Sequence, residues 1–306
     1  MVKHILNTKQ FTKDEVEQIF SMVPKMEKIC SGSVKEKPLE GKIIATIFFE
    51  PSTRTRLSFE TAALRLGAQV ISSENASANS SAKKGETAED TARILSCFAD
   101  AIVVRHSEVG SVEKMASAAT KSMINAGDGT NQHPTQGLLD LYTIKKELGK
   151  LEGLSIAFVG DVLNSRTVRS LLPLLALYGD NTIYLFPVGG QTLTEEYKNY
   201  LREHKVKFEE AESLLEILPK LDVLYMTRLQ KERFTNPEDY EKEKNYFILK
   251  PEHVQKMKKD SIIMHPLPRV EEIDPAVDSD PRAAYFRQVQ NGLLVRMALL
   301  LYVFGI

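Results

Sequence analysis

The chain has 306 residues, 42% of them hydrophobic and 26% charged, with a formal net charge of -1. That length suits two domains of about 150 residues, each with a sizeable core, and the composition is that of an ordinary globular protein. With no basic run longer than the pair Lys83-Lys84, nothing points to nucleic acid or to an acidic membrane surface, so any cationic site must be local.

The first fifteen residues, MVKHILNTKQFTKDE, lack the apolar core of a signal peptide. Thr12 and Glu15 form a capping box that opens an amphipathic helix over 12–29, with Val16, Ile19, Phe20 and Val23 on one face. After a loop over 31–41 comes the stretch that organises the chain, KIIATIFFEPSTRTRLSFETAALRLG. Its apolar run at 43–49 predicts a strand buried on both faces of a parallel sheet. Phe59, Ala62, Ala63 and Leu66 then recur at helical spacing, and Gly67 is placed to end that helix in a left-handed conformation. The helix is expected to start near Ser52 or Thr53, with the Ser52 hydroxyl as its cap. The amides of Thr53, Arg54 and Thr55 then converge where the helix dipole is positive, and Arg54 adds a planar fork suited to phosphate. Taken alone, the stretch reads better as an ordinary capped helix with solvated arginines, and Arg56 as a partner for Glu60 one turn on.

Further along, a short strand is expected at 69–72, a polar surface loop at 74–85, a helix at 86–98, a strand at 101–105, a helix at 112–119 and a strand at 122–125. The turn-rich GDGTNQHPTQ leads into a helix at 138–148 that Pro134 or Thr135 should open. A second half follows, with strands at 154–159, 182–186, 222–226 and 261–264, helices at 167–178, 194–203, 214–218 and 251–256, and a last helix at about 283–303. Strand and helix alternate throughout, which predicts an α/β fold of two doubly wound domains, each a mostly parallel sheet flanked by helices. The expected division is residues 1–134, a connecting helix at 135–150, and residues 151–282, with the last helix packing back on the first domain. Cys30 and Cys97 form neither a disulfide framework nor a metal cluster, and with no segment near the roughly 20 apolar residues that span a bilayer, a reducing cytoplasm is expected.

Ligands of doubly wound sheets sit at the carboxyl ends of strands, so the residues that follow each strand are the informative ones. They are Ser52-Thr53-Arg54-Thr55, Arg105-His106 and Asn131 to Gln136 in the first half. In the second half they are Gly160-Asp161 leading to Arg166, Thr227-Arg228-Leu229-Gln230, and His265-Pro266-Leu267-Pro268-Arg269. Arginines gathered at equivalent strand ends of a nearly neutral chain argue for a substrate with more than one negative group.

Through FFEPSTRTR, SAKKGET, VVRH, HPTQ, VGD followed by an arginine, YMTRLQKERF and HPLPR, the sequence resembles the aspartate and ornithine carbamoyltransferase family over essentially its whole length. TRLQ and HPLP look like the pocket of members that use aspartate, since ornithine enzymes usually carry a cysteine at the place of Pro266. The resemblance implies carbamoyl phosphate and L-aspartate as substrates, N-carbamoyl-L-aspartate and phosphate as products, an early step of pyrimidine synthesis, and no cofactor or metal. It implies that Ser52, Thr53, Arg54, Thr55, Ser80, Arg105, His133, Gln136, Leu267 and Pro268 bind carbamoyl phosphate, and that Lys84, Arg166, Arg228, Gln230 and Leu267 bind aspartate. Arg54, Thr55, Lys84, Arg105 and His133 are implied to carry the catalysis, His133 as an electrophile rather than a strong base. Glu50 is implied to bridge to Arg166 and Arg233 on domain closure, and the Leu267-Pro268 bond to be cis. Ser80 and Lys84 are implied to reach a neighbouring copy, making a homotrimer with shared sites. Val162-Leu163-Asn164-Ser165 departs from the lysine and tyrosine that cooperative members often carry, so docking of regulatory chains is left open. Two other readings stand beside this one: a transferase for another amino acceptor such as ornithine, and a non-catalytic phosphate-binding scaffold.

Overall fold

A computed structural model describes residues 2–76, 85–187, 192–229 and 247–306. The chain divides into two compact units, Met1–Leu139 with Gln290–Ile306, and Asp140–Val289. In the first unit, helix α1 (Lys13–Cys30) opens with the expected capping box: the Glu15 amide donates to the Thr12 hydroxyl at 3.2 Å, and the Thr12 amide to the Glu15 carboxylate at 3.0 Å. Strand β1 (Ile43–Phe48) is buried from Ile44 onward on both faces, which is why its sequence is a continuous apolar run rather than an alternation. Helix α2 (Thr53–Arg65) ends as predicted. Gly67 has φ +87°, its amide donates to Leu64, and the Ala68 amide donates to Ala63, the paired bonds of a left-handed helix stop.

Strand β2 (Gln69–Glu74), helix α3 (Ala88–Phe98), strand β3 (Ala101–His106), helix α4 (Ser111–Ala118) and strand β4 (Ser122–Asp128) follow. The four strands are parallel in the order β2-β1-β3-β4. Ala45, Ile47 and Phe49 share one core with Ile102, Val104, Val112, Met115 and Met123. Helix α5 (Pro134–Leu148) begins in this unit, and the division between the units falls within it.

The second unit contains β5 (Ser155–Gly160), α6 (Arg166–Leu175), β6 (Thr182–Pro187), α7 (Glu195–Glu203), β7 (Lys207–Glu210), α8 (Leu214–Ile217), β8 (Val223–Met226), α9 (Pro251–Val254) and β9 (Ile262–Met264). Its five strands are parallel in the order β7-β6-β5-β8-β9. Val159, Leu218, Leu221, Leu224, Met226 and Ile263 anchor its core. Helix α10 (Tyr285–Phe304) contributes residues to both units. Strand β7 was not foreseen. It is an edge strand whose KFEE sequence buries little, so it carries no apolar signal. Among the described residues no helix is long and apolar enough to cross a membrane.

Candidate active site

Where neighbouring strands of a doubly wound sheet send their connections to opposite faces, a crevice opens beyond their carboxyl ends. In the first unit that point lies between β1 and β3, and in the second between β5 and β8. Ser52 to Thr55 and Arg105 stand at the first point, and Gly160, Asp161, Thr227 and Arg228 at the second, while Asn131 to Gln136 follow β4 and His265 to Arg269 follow β9.

Beyond β1, the first turn of α2 carries exposed Thr53 and Arg54 and buried Thr55. Arg105 is the last residue but one of β3, and its Nε donates to Glu50 at 3.1 Å. Burial pulls the Arg105 pKa down, Glu50 opposes this, and the nearby Arg54 guanidinium pulls the same way as burial. Two guanidiniums close enough to repel each other, beside the positive end of a helix, favour an anion between them.

One expectation fails here. The Ser52 hydroxyl does not cap α2: ψ at Ser52 is 95°, against 163° at Thr12 and 155° at Thr87, whose hydroxyls do close on their helices. Ser165, with ψ 101°, reaches the Val168 amide only at 3.5 Å. Arg56 behaves as read from its spacing, bonding Glu60 at 3.1 Å, and it also bonds Glu74 at 3.0 Å.

His133 is presented by the β4–α5 loop, which Asp128 organises. The Asp128 carboxylate accepts from the side chains of Asn125 and Asn131 and from the amides of Gln132 and Gly110, at 2.9 to 3.1 Å. Pro134 takes the first helical position and the His133 carbonyl accepts from Gln136 and Gly137. This seats buried His133 with Nε2 3.5 Å from the Thr55 hydroxyl and Nδ1 3.5 Å from the Thr135 hydroxyl, and Gln136 is buried at the start of α5. Thr55 and His133, 78 residues apart in the chain, are thus neighbours.

In the second unit, β5 and β8 approach so closely that a Cβ on Gly160, which has φ +111°, would lie 2.2 Å from the Thr227 carbonyl oxygen. The Thr227 amide and hydroxyl both donate to Val159 O, at 2.8 and 3.0 Å. Asp161 holds the Asn164 amide at 3.0 Å, shaping the turn into α6, whose first residue is Arg166. Arg228 lies two residues beyond β8, so the two arginines follow the carboxyl ends of the neighbouring strands β5 and β8. Beyond β9, the Leu267-Pro268 bond is cis, Leu267 is half-buried and Pro268 exposed. Arg269 is committed to structure through a two-pronged ion pair with Asp278.

Ser80, Lys84, Gln230 and Arg233 lie outside the described residues, and with Arg233 goes one end of the expected bridge from Glu50. Sequence reasoning passed over Asp128 and Glu272. The first had a signal in the GDGTN turn, where an aspartate captures nearby amides; the second had none, because seven positions of irregular loop separate it from His265 and no helix or strand spacing pairs them.

Two family models match the chain: the aspartate/ornithine carbamoyltransferase carbamoyl-P binding domain over residues 3–146, and the Asp/Orn binding domain over residues 152–303. The chain is 50% identical over 297 residues to the chloroplastic aspartate carbamoyltransferase of Arabidopsis thaliana, covering 97% of this chain and 76% of that protein. It is 47% identical to the aspartate carbamoyltransferase catalytic subunit of Methanocaldococcus jannaschii, covering 98% and 97%. The solved catalytic subunit of the M. jannaschii enzyme superposes with a TM-score of 0.91 at 46% identity, covering 99% and 98% of the two chains. Aspartate transcarbamoylase from Trypanosoma cruzi, solved in complex with N-(phosphonacetyl)-L-aspartic acid, superposes with a TM-score of 0.90 at 38% identity, covering 97% and 94%.

Proposed function

The chain belongs to the aspartate/ornithine carbamoyltransferase family, and from that premise we propose that it transfers the carbamoyl group of carbamoyl phosphate to the α-amino group of L-aspartate, giving N-carbamoyl-L-aspartate and phosphate for pyrimidine synthesis. The observation that carries this reading is the placement of arginines at both switch points, Arg54 and Arg105 near the ends of β1 and β3 and Arg166 and Arg228 after β5 and β8.

The reaction has two electrostatic demands: the carbonyl oxygen gains charge as the amine attacks, and phosphate departs as a dianion. In this reading the amides of Thr53, Arg54 and Thr55, the Ser52 hydroxyl and the Arg54 guanidinium hold phosphate. Thr55, Arg105 and His133 donate to the carbonyl oxygen, and Gln136 binds the carbamoyl amide. A neutral imidazole serves as such a donor, and phosphate itself can take the proton of the attacking amine. Arg166 and Arg228 each take one carboxylate of aspartate as a two-pronged partner, aided by Gln230, an arrangement that disfavours a cationic acceptor such as ornithine. The carbonyls of Leu267 and Pro268 accept from substrate N–H groups; among the described residues no donor meets them. Ser80 and Lys84 complete the site of a neighbouring copy, so the working enzyme is a cytoplasmic homotrimer, to which regulatory chains can add.

Phosphate release with carbamoyl phosphate plus L-aspartate, compared with L-ornithine, tests the reading. Turnover is expected with aspartate alone. Release with ornithine overturns the acceptor assignment, and release with neither leaves only a binding scaffold.

A further inference from the structure

The loop after β9 is held by its own first residue. Pro266 and Pro268 have no N–H, so within residues 265–268 only His265 and Leu267 can donate from the backbone. Both donors are used inside the unit. The His265 amide goes to Oε1 of Gln288 at 3.0 Å, and the Leu267 amide to Nδ1 of His265 at 2.8 Å. A ring nitrogen that accepts carries no proton, so the imidazole proton is on Nε2, 2.7 Å from Oε1 of Glu272. The other oxygen of that carboxylate accepts the Val270 amide at 3.1 Å. One imidazole and one carboxylate therefore pin the backbone on both sides of Leu267. That residue needs pinning, because its φ of +55° is a conformation a leucine rarely adopts.

We propose that His265 and Glu272 are positioning residues for the transfer reaction: together they hold the residue 266–268 loop so that its carbonyl oxygens face the substrate, while neither touches substrate itself. This rests on the assignment of Leu267 and Pro268 to substrate binding. The surroundings favour the neutral imidazole that the device needs. His265 is buried, which lowers its pKa; Glu272 opposes this, while Arg269 on the same loop and Arg228 beyond β8 act with burial, and the contact from α10 is the neutral Gln288. Adding a proton to Nδ1 would turn the acceptor of the Leu267 amide into a donor facing a donor.

The test compares His265→Asn with His265→Leu. Asparagine keeps an oxygen close to the place of Nδ1, whereas leucine fills the space and accepts nothing. His265→Leu should lower kcat by roughly 100-fold, the scale of a displaced binding group, with rapid hydrogen exchange at the Leu267 amide; His265→Asn should recover most of the rate and slow that exchange again. Glu272→Gln, which keeps one good acceptor, should fall between. A merely space-filling histidine would give the two His265 variants equal rates per folded molecule, and that result overturns the proposal. Rapid exchange in His265→Leu with undiminished kcat also overturns it, since the loop would then be released without loss of rate. Wild-type protein that releases no phosphate overturns the functional reading and this role together, an outcome distinct from wild-type turnover that ignores His265→Leu.

Discussion

His133 touches the Thr55 hydroxyl through one ring nitrogen and the Thr135 hydroxyl through the other, both at 3.5 Å, in a pocket that exposes little of any of them. If it supplies a donor to the developing oxyanion, His133→Ala should cost about 100- to 1,000-fold in kcat while carbamoyl phosphate binding, followed by calorimetry, changes little. Histidines of a second kind shape the response to acid. Burial lowers the pKa of His4, His106 and His265, so the unfolded chain takes up protons from about pH 6.5 downward while the folded chain still refuses them. The stability they contribute is complete above about pH 6.5 and is lost as the pH falls through the lower folded values. Urea unfolding should therefore show a lower midpoint at about pH 5 than at about pH 7.5, and His265→Asn should shrink that difference. Arg56 marks how far single residues could be read from the chain. Its bond to Glu60 follows from helical spacing, whereas its bond to Glu74 depends on β2 lying beside β1.

The elements owe their positions to local punctuation and a few close approaches. Gly160 lets β5 meet β8, and a side chain there would collide with the Thr227 backbone as well as occupy a left-handed φ. Gly160→Ala should destabilise the second unit by roughly 2–4 kcal/mol, read from thermal unfolding, with aspartate affinity falling more than carbamoyl phosphate affinity. The α1 capping box is an independent case. Glu15 also accepts from the Tyr302 hydroxyl at 2.8 Å, so the start of α1 is tied to α10. Thr12→Ala should cost about 1 kcal/mol of stability and leave turnover unchanged. The α1 capping box, Pro134 and Gly67 were all legible because their geometry is encoded within a few residues. The Ser52 cap misled for the complementary reason: its residue type is right for a cap, yet its hydroxyl makes no bond to the helix, and residue type alone does not record that.

At the scale of the whole molecule, the proposed sharing of Ser80 and Lys84 between copies gives a prediction that needs no image of them. Arg54→Ala and Lys84→Ala proteins should each be inactive alone, and should regain partial activity when dissociated and mixed, because some sites then receive both intact halves. Absence of recovery after verified subunit exchange rejects sharing.

The order of strand-end motifs, the alternation of apolar runs with helical periodicities, and the clustering of arginines at equivalent strand ends were all present in the amino-acid sequence, because each depends on residues a few positions apart. They sufficed for the α/β class and the family. The switch points between β1 and β3 and between β5 and β8, the closeness of Thr55 to His133, and the hold of Glu272 on His265 appear only in the folded chain. Strand order and side-chain meetings across many residues are set by how sheets assemble and cores fill, and no local pattern records that.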